Sequence, residues 1–278
     1  MLSVVVPVRN RPGAVCAAVL SVLAEAGADI EVVVVDDGST DDTRAAAERI
    51  GDSRVRVVTI PASGVSVARN EGVAAANAAF VAFLDSDDLV LAGWVDAMID
   101  AAHRGLDVFS CANIERHDGR GDVVAAPSAL GPAFGGLHGR YQPGAFGLSK
   151  SVFTTAGGYV AGLRHGENTM LWMAIGRLHA TEALAVDSID TPLAIVHRRD
   201  RPYDAALYYE SAVTTLQHGS DMLRRDRSAF AANLGIAGVA ASRLGHRREA
   251  VRFLARSIAQ RPLAPIGYAR LLRALVGR

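Results

Sequence analysis

The chain has few of the residues that would place it in a specialised structural class. Its 278 residues include two cysteines, Cys16 and Cys111, and a single lysine, Lys150. Two isolated cysteines cannot form a disulfide framework and lack the spacing of a zinc site, so we expect buried, reduced thiols. The 29 basic and 29 acidic side chains cancel, which leaves no overall field to hold a nucleic acid. No nucleic-acid partner is therefore expected.

Long apolar runs are also missing. No stretch reaches the roughly 18 uninterrupted apolar residues that a membrane-spanning helix needs. The N-terminus begins like a signal peptide, but Pro7 and Arg9 interrupt it and no small-residue cleavage site follows. The sequence therefore predicts a cytoplasmic protein, and it leaves open peripheral contact with the inner face of the membrane.

Half of the residues are hydrophobic, which is enough for a sizeable core. Short β-branched or aromatic runs alternate with helical patterns through the first hundred residues, and such runs are typical of strands covered on both faces. The pattern predicts an α/β fold with an open sheet flanked by helices, which binds ligands beyond the carboxyl ends of its strands. The predicted strands are 2–6, 30–35, 55–58 and 80–84, and the predicted helices are 13–25, 40–50 and 65–79.

The second half of the chain has a less regular pattern. Strands are predicted at 107–115 and 122–125, a functional loop at 131–147, and helices at 167–178 and 205–225. The helical tail from Arg227 contains one hairpin that resembles a tetratricopeptide-like unit, the alternative being a helical lid on the sheet. We therefore divide the chain into a sheet domain, 1–203, and a C-terminal α-helical extension, 204–278.

Polar side chains follow three of the predicted strands. Asp85-Ser86-Asp87-Asp88 ends the fourth strand, and carboxylates at this spacing repel one another unless a cation or hydrogen-bond donors neutralise them. Mg²⁺ or Mn²⁺ held against substrate phosphates suits that arrangement. The alternative is that Asp87 or Asp88 caps a helix beginning at Leu91.

A second acidic turn, Asp36-Asp37-Gly38-Ser39, follows the second strand. One aspartate is expected to hold the turn and the other to hold a ligand, such as the imide N–H of a pyrimidine base. Asp41 is expected to cap the following helix. Arg69 lies near the start of a helix, where an anion is favoured, and its alternative role is an ordinary surface or ion-pair arginine.

The ordered motifs resemble glycosyltransferase family 2, which consists of inverting nucleotide-sugar transferases with the GT-A fold. The resemblance covers about residues 1 to 200. The motifs that carry it are Pro7-Val8-Arg9-Asn10, Val35–Asp41, Gly64–Gly72, Phe83–Asp88, Gly157-Gly158-Tyr159 and Gly166–Trp172.

The resemblance implies a metal-dependent, inverting transfer of a sugar from a UDP- or dTDP-sugar to an acceptor hydroxyl. It implies Mg²⁺ or Mn²⁺ held by Asp87 and His197, the alternative for His197 being a solvated basic loop. This interpretation requires that Asp85 and Asp87 not be sealed by arginines. The residues implied to bind the nucleotide or donor are Pro7, Val8, Asn10, Asp36, Asp37, Ser39, Arg69, Asp85 and Ser86.

The catalytic base is where the sequence departs from the family. The usual base is the Asp of a Glu-Asp pair at the start of a helix, and here the pair is Glu167-Asn168. An amide cannot accept a proton near neutral pH, so either Glu167 or another carboxylate is the base or the base is missing. We favour Glu167. The rival hypothesis is a catalytically impaired nucleotide-binding or scaffold protein whose helical tail binds a partner.

The acceptor and the donor sugar cannot be identified from these motifs. The tail carries Leu271, Leu272, Leu275 and Val276 among arginines. This pattern leaves three interpretations open: packing on the chain's own sheet domain, a homodimer, or contact with a membrane surface.

Overall fold

The structure is a computed structural model that describes residues 1–25, 27, 29–199 and 202–276. The chain divides into two compact units. The first contains Met1–Leu130, Leu137–Gly162 and Thr181–Asp200, and the second contains Gly131–Gly136, Leu163–Ala180 and Arg201–Arg278. This division is not the linear one drawn from the sequence, since two inner segments group with the C-terminal helices.

The first unit contains a mixed sheet, which has nine strands within the described residues. Two further short strands, β8 and β9, pair only with each other. In chain order the strands are β1 (Leu2–Val8), β2 (Ile30–Asp37), β3 (Val55–Ile60), β4 (Phe80–Phe83), β5 (Leu89–Val90), β6 (Val108–His117), β7 (Gly121–Ala125), β8 (Ser128–Ala129), β9 (His138–Gly139), β10 (Phe146–Ser149) and β11 (Val186–Arg198).

The sheet has the order β3-β2-β1-β4-β10-β6-β11-β5, with β7 paired to β6. The first four strands run parallel, and β10 runs antiparallel to both of its neighbours. The strands β6 and β11 are again parallel. The sequence-predicted strands in this unit are confirmed, each within a few residues of its observed ends.

Helices cover the sheet and form most of the second unit. Their bounds are α1 (Pro12–Glu25), α2 (Thr43–Glu48), α3 (Val65–Ala75), α4 (Trp94–His103), α5 (Lys150–Thr155), α6 (Glu167–Glu182), α7 (Ala205–His218), α8 (Ser220–Leu223), α9 (Arg227–Arg243), α10 (Arg247–Gln260) and α11 (Pro265–Val276). Within the described part of the chain, none of them combines the length and apolarity needed to cross a bilayer.

All seven residues of β1 are buried, because helices lie on both faces of the sheet. Val4 and Val6 belong to a core shared with α1 and α4. Val5 points to the other face, where α3 approaches so closely that a Cβ added to Gly72 would lie 2.3 Å from Val5 Cγ1. This close packing fixes the position of α3 beside the end of β1.

The second unit is built from small-residue helix contacts. Helices α9 and α10 pack as a hairpin in which a Cβ on Gly238 would lie 2.6 Å from Leu254 Cγ. The single helix predicted over 205–225 is wrong, because the chain breaks at Gly219 into α7 and α8. A Cβ on Gly219 would lie 2.8 Å from Met173 Cε, so the break brings the backbone against α6.

The segment 131–147 is less irregular than expected. It contains a short 3-10 turn, Pro132–Phe134, and the strand β9, and it runs into β10. Gly135 lies directly on α6, since its added Cβ would be 2.0 Å from the Gly176 carbonyl oxygen. A functional role for this segment stays a prediction.

Candidate active site at the carboxyl ends of the parallel strands

The polar residues that follow β1, β2 and β4 share one edge of the sheet. These three strands are parallel neighbours, and Val8 at the end of β1 is in register with Asp36 near the end of β2. Parallel pairing therefore brings together the polar residues that the sequence places after three strands. Pro7 and Val8 are buried in β1 itself, so they shape the edge from beneath.

Asn10 joins the loop after β1 to the loop after β2. Its backbone N–H donates to Ser39 Oγ at 2.9 Å, and its side-chain Oδ1 accepts from the Thr40 N–H at 2.9 Å. Asn10 has φ 53°, a left-handed conformation that asparagine tolerates better than most residues. The two residues assigned to donor binding here, Asn10 and Ser39, are therefore in direct contact.

The two aspartates of the acidic turn have separate structural roles. Asp36 Oδ1 accepts from the Ser39 N–H at 3.0 Å and so holds its own turn, as expected for one of the pair. Asp37 instead accepts from the N–H groups of Ser63, at 2.6 Å, and Gly64, at 3.0 Å, which precede α3. Both carboxylates are buried. A carboxylate has about four acceptor positions, so these bonds leave Asp37 capacity for a ligand donor.

Gly38 sets the distance between these two loops. It has φ +66°, and a Cβ at this position would lie 2.7 Å from the backbone nitrogen of Ala62. No side chain fits there without moving backbone. The glycine therefore lets the loop after β2 lie against the loop before α3.

Arg69 of α3 is buried and pairs with Asp85. Its Nη2 donates to Asp85 Oδ1 at 2.6 Å, and its guanidinium lies 5.0 Å from the centre of the Tyr159 ring. The side chain of Arg69 is 2% exposed and that of Asp85 is 29% exposed. The ion-pair role proposed as the alternative for Arg69 is therefore observed, while its role near a diphosphate stays a prediction.

Asp87 also meets arginines, but it is not sealed by them. Arg11 Nη1 lies 2.8 Å from Asp87 Oδ1, and Arg199 Nη2 lies 3.5 Å from Oδ2, while the Asp87 side chain keeps 16% exposure. Both arginines are themselves partly exposed. Because these long side chains reach in from solvent, they can be displaced. The remaining residues of that basic loop, Asp200 and Arg201, lie outside the described residues.

Asp88 turns inward and accepts from the backbone N–H of His197 at 2.8 Å. It does not cap a helix at Leu91, because α4 begins later, at Trp94, after Gly93 in a left-handed conformation. Burial, followed by the negative charge of Asp85, raises the pKa of Asp88 to about 8, against the opposing effect of the His197 N–H. Ser86 is buried in the same turn. The uncharged, protonated form of the Asp88 carboxyl is therefore favoured up to about pH 8.

The fit of a divalent ion to these residues is partial. Within the described ranges, no group of three or more His, Cys, Asp or Glu residues is placed to hold a metal. His197 Nδ1 is buried without a hydrogen-bond partner, 3.7 Å from Asp88 Oδ1. A carboxylate and an imidazole do not make a closed cage, but Mg²⁺ is often held by one or two carboxylates together with substrate phosphates. The residues fit that kind of site.

One charged cluster beside this edge was not anticipated from the sequence. Glu115 on β6 accepts hydrogen bonds from Arg198, at 2.5 Å, and from Arg140. Burial alone would raise the pKa of Glu115, but the hydrogen bonds and charges of Arg198 and Arg140 hold it below its usual value. Arg140 and Arg198 are 25 and 83 positions from Glu115 in the sequence, so only the tertiary structure reveals the cluster.

Glu167 and Asn168 belong to the second unit. They form the first turn of α6, which supports the prediction of a helix beginning at this pair, and both are half-buried. An acidic residue in a first turn is favoured by the helix dipole. The catalytic role assigned to Glu167 stays a prediction.

Comparison with known proteins shows which family shares this arrangement. The sequence model of Glycosyl transferase family 2 matches residues 3–165, more than half of the chain. The chain belongs to glycosyl transferase family 2. The match contains all of the strand-end residues from Pro7 to Asp88.

Two relatives of this family-2 chain have names that describe their functions. It is 34% identical over 116 residues to the UDP-Glc:alpha-D-GlcNAc-diphosphoundecaprenol beta-1,3-glucosyltransferase WfgD of Escherichia coli, covering 41% of this chain and 46% of that protein. It is 41% identical over 99 residues to the succinoglycan biosynthesis protein ExoO of Rhizobium meliloti (strain 1021), covering 35% of this chain and 28% of that protein. The chain thus spans less than half the length of each.

Solved structures share the fold over nearly the whole chain. S. aureus TarS 1-349 in complex with UDP-GlcNAc has a TM-score of 0.67 at 20% identity, covering 99% of this chain and 87% of that chain. The complex of the same protein with UDP also has a TM-score of 0.67 at 20% identity, covering 98% and 88%. The fold of this family-2 chain is therefore GT-A, as the resemblance implied, with C-terminal helices.

Proposed function

We propose that this chain transfers a sugar, with inversion, from a nucleoside-diphosphate sugar to an acceptor hydroxyl. The observation that carries the proposal is the convergence of the family-2 motif residues at the ends of β1, β2 and β4. The TarS structures that share the fold hold UDP-GlcNAc and UDP, which supports a UDP-sugar as donor, with a dTDP-sugar as the alternative.

In this proposal the strand-end loops bind the nucleotide. Asn10 and Ser39 hold one side of the site, and Asp37 accepts from the base while it keeps the loop before α3 in place. Asp85, kept in position by Arg69, contacts the ribose or the sugar. Since Asn10, Asp37 and Asp85 are each held by a hydrogen bond to a neighbouring group, the site is preorganised for its ligand.

Asp87 would hold Mg²⁺ or Mn²⁺, with His197, which lies against Asp88, as the second protein ligand. The bound ion would neutralise the negative charge that develops on the leaving diphosphate. Arg11 and Arg199 form ion pairs with Asp87 in the structure. A metal ion can therefore bind Asp87 only if these arginines move to the phosphates or to solvent. The same two cations can contribute directly to holding the diphosphate.

We assign the acceptor proton to Glu167, on the strength of the family resemblance and its position in the first turn of α6. In the reaction, a new bond forms between the acceptor oxygen and sugar C1 while the bond from C1 to the diphosphate breaks. Glu167 takes the proton released from the acceptor hydroxyl. The neighbouring Asn168 cannot do so, since an amide has no basic site near neutral pH.

The metal is tested by donor hydrolysis and transfer with EDTA and with Asp87→Asn. Both are expected to reduce the rate at least tenfold, and Mn²⁺ is expected to restore the EDTA-treated protein. Asp100→Asn, which removes an exposed carboxylate paired with Arg104, serves as the matched control. Full activity after both treatments would remove the metal from the mechanism and leave the arginines as the charge-neutralising groups.

The base is tested with Glu167→Gln and Asn168→Asp in the same transfer assay. Glu167→Gln is expected to abolish transfer while UDP affinity, measured by calorimetry, is retained. Full transfer by Glu167→Gln would refute the assignment. If the unchanged chain binds UDP but shows no turnover with any acceptor, and Asn168→Asp gains activity, the rival hypothesis of a catalytically impaired binding protein is favoured.

A further inference from the structure

The second unit contains a cavity that the proposed transfer reaction does not use. Its volume is about 830 Å³, and residues at the start of α7 and on α9, α10 and α11 line it. That volume lies within the range of small-molecule sites, roughly 300 to 1,000 Å³. None of its lining residues belongs to the strand ends described above.

The cavity is strongly basic. Four arginines line it, Arg243, Arg247, Arg270 and Arg273, all of them exposed, and none of its lining residues is acidic. Helices α9 to α11 contain one acidic residue, Glu249, which accepts from the Tyr209 hydroxyl at 2.8 Å. Guanidinium groups that converge on a cavity with no acidic lining residue attract an anion.

Two of these arginines are held in place by neighbouring groups. The guanidinium of Arg243 lies 4.1 Å from the centre of the Tyr203 ring, which stacks on Tyr208 with the two rings 5° from parallel. Arg247 donates to the backbone carbonyl of Leu275 near the end of α11. Because these side chains are already ordered, they lose less conformational entropy when an anion binds, and the anion therefore binds more tightly.

The other lining residues are mainly small or apolar. Leu254 and Ala274 are almost fully buried, and Val239 and Ile236 lie beside them. An inorganic anion would leave the exposed apolar surface of Ile236 and Val239 in contact with water, whereas a hydrocarbon chain would cover it, which is favourable. The cavity therefore combines a cationic rim with an apolar floor.

We propose that this cavity binds a phosphate- or diphosphate-bearing amphiphile, with the arginines on the head group and the apolar floor on the hydrocarbon. Arginine matches phosphate geometry through paired N–H donors. The concave shape suits one molecule better than the plane of a bilayer. The proposal does not depend on the transfer reaction, since it concerns binding alone.

The test is calorimetric titration of the full chain with farnesyl diphosphate, inorganic pyrophosphate and farnesol. Farnesyl diphosphate is expected to bind at least tenfold more tightly than either of the others. Arg270→Gln and Arg273→Gln are each expected to weaken its binding about tenfold, since each removes a charge-assisted contact to the head group. Arg256→Gln, an exposed arginine of α10 outside the lining, is the matched control and should leave binding unchanged.

Ile236→Asp provides a second variant, because it places a carboxylate among the arginines at a 43% exposed position where folding tolerates it. It is expected to abolish binding while the circular dichroism spectrum is retained. Equal affinity for pyrophosphate and farnesyl diphosphate would overturn the proposal that the ligand is an amphiphile, since the hydrocarbon would then contribute nothing to binding. Binding that survives Ile236→Asp would overturn the location. Binding to anionic vesicles that farnesyl diphosphate does not displace would overturn the proposal in favour of a membrane surface.

Discussion

Replacement of Gly38 by alanine tests whether the two loops at the strand ends approach as closely as the structure shows. Two costs add at this position. A non-glycine residue at φ +66° costs about 1–2 kcal/mol, and the added Cβ meets the backbone nitrogen of Ala62 at 2.7 Å. Since backbone cannot rotate away as a flexible side chain can, this overpacking adds about 1–3 kcal/mol. We expect Gly38→Ala to lose about 2–5 kcal/mol of unfolding free energy.

Gly51→Ala is the matched control. Gly51 has nearly the same backbone conformation, φ +68°, but the nearest atom to its added Cβ is the Arg49 carbonyl oxygen at an ordinary 3.7 Å. It therefore pays the conformational cost without the steric one, and we expect a loss of about 1–2 kcal/mol. The difference between the two variants isolates the close approach of the loops.

The measurement is urea unfolding, followed by circular dichroism, with the midpoint compared at constant slope. UDP affinity is measured on the same samples, because Gly38 adjoins Asp37, whose carboxylate holds the loop before α3. Gly38→Ala should lower both stability and affinity, and Gly51→Ala should leave affinity unchanged. Equal destabilisation by the two substitutions would refute the argument, since it would mean that the loops separate freely.

Three further predictions concern the first unit. Gly72→Ala should lower the free energy of unfolding by about 1–3 kcal/mol in urea, because its Cβ would lie 2.3 Å from Val5 Cγ1. In a chain that already carries Val5→Ala, which removes the clashing methyl groups, Gly72→Ala should instead stabilise the protein, since alanine favours a helix more than glycine does. The lowered pKa of Glu115 means that its stabilising contribution is present above its reference pKa of 4.5 and is lost as the pH falls through the lowered value. Glu115→Gln should therefore flatten the acid limb of a plot of melting temperature against pH, and an unchanged limb would show that Arg140 and Arg198 do not stabilise the carboxylate. Burial raises the pKa of Cys111 to about 12, so iodoacetamide at pH 8 should leave this thiol unmodified by mass spectrometry until urea unfolds the chain, and rapid labelling of the folded protein would contradict its burial.

Local patterns in the sequence predict six of the nine strands that the described residues contribute to the sheet. Apolar runs at 2–6, 30–35, 55–58 and 80–84 became β1 to β4, because runs of that length satisfy a strand covered on both faces. The order of polar motifs after those strands indicated the family, and parallel pairing then placed them at one edge. The hydrophobic period and the order of the motifs are properties of the covalent chain, so both can be predicted from the sequence.

Partner choice within the site required the tertiary structure. The sequence suggested that Asp87 faces a metal, whereas the structure adds Arg11 and Arg199, 76 and 112 residues distant along the chain. The sequence likewise did not indicate that Asp37 holds the loop before α3. Long side chains can reach many partners, and which one they meet depends on the packing of the elements that carry them.

The same reason explains the missed break at Gly219 and the missed grouping of residues 131–136 with the C-terminal helices. Helical periodicity continues through 205–225, but the contact of Gly219 with Met173 interrupts it from outside the segment. The sequence alone predicted β1 to β4, β6 and β7, the helices α1 to α3 and α6, and the family, but not β5 or β8 to β11. Only the tertiary structure decided which charges meet, which glycines sit against backbone and where the compact units divide, because these depend on atoms far apart in the chain.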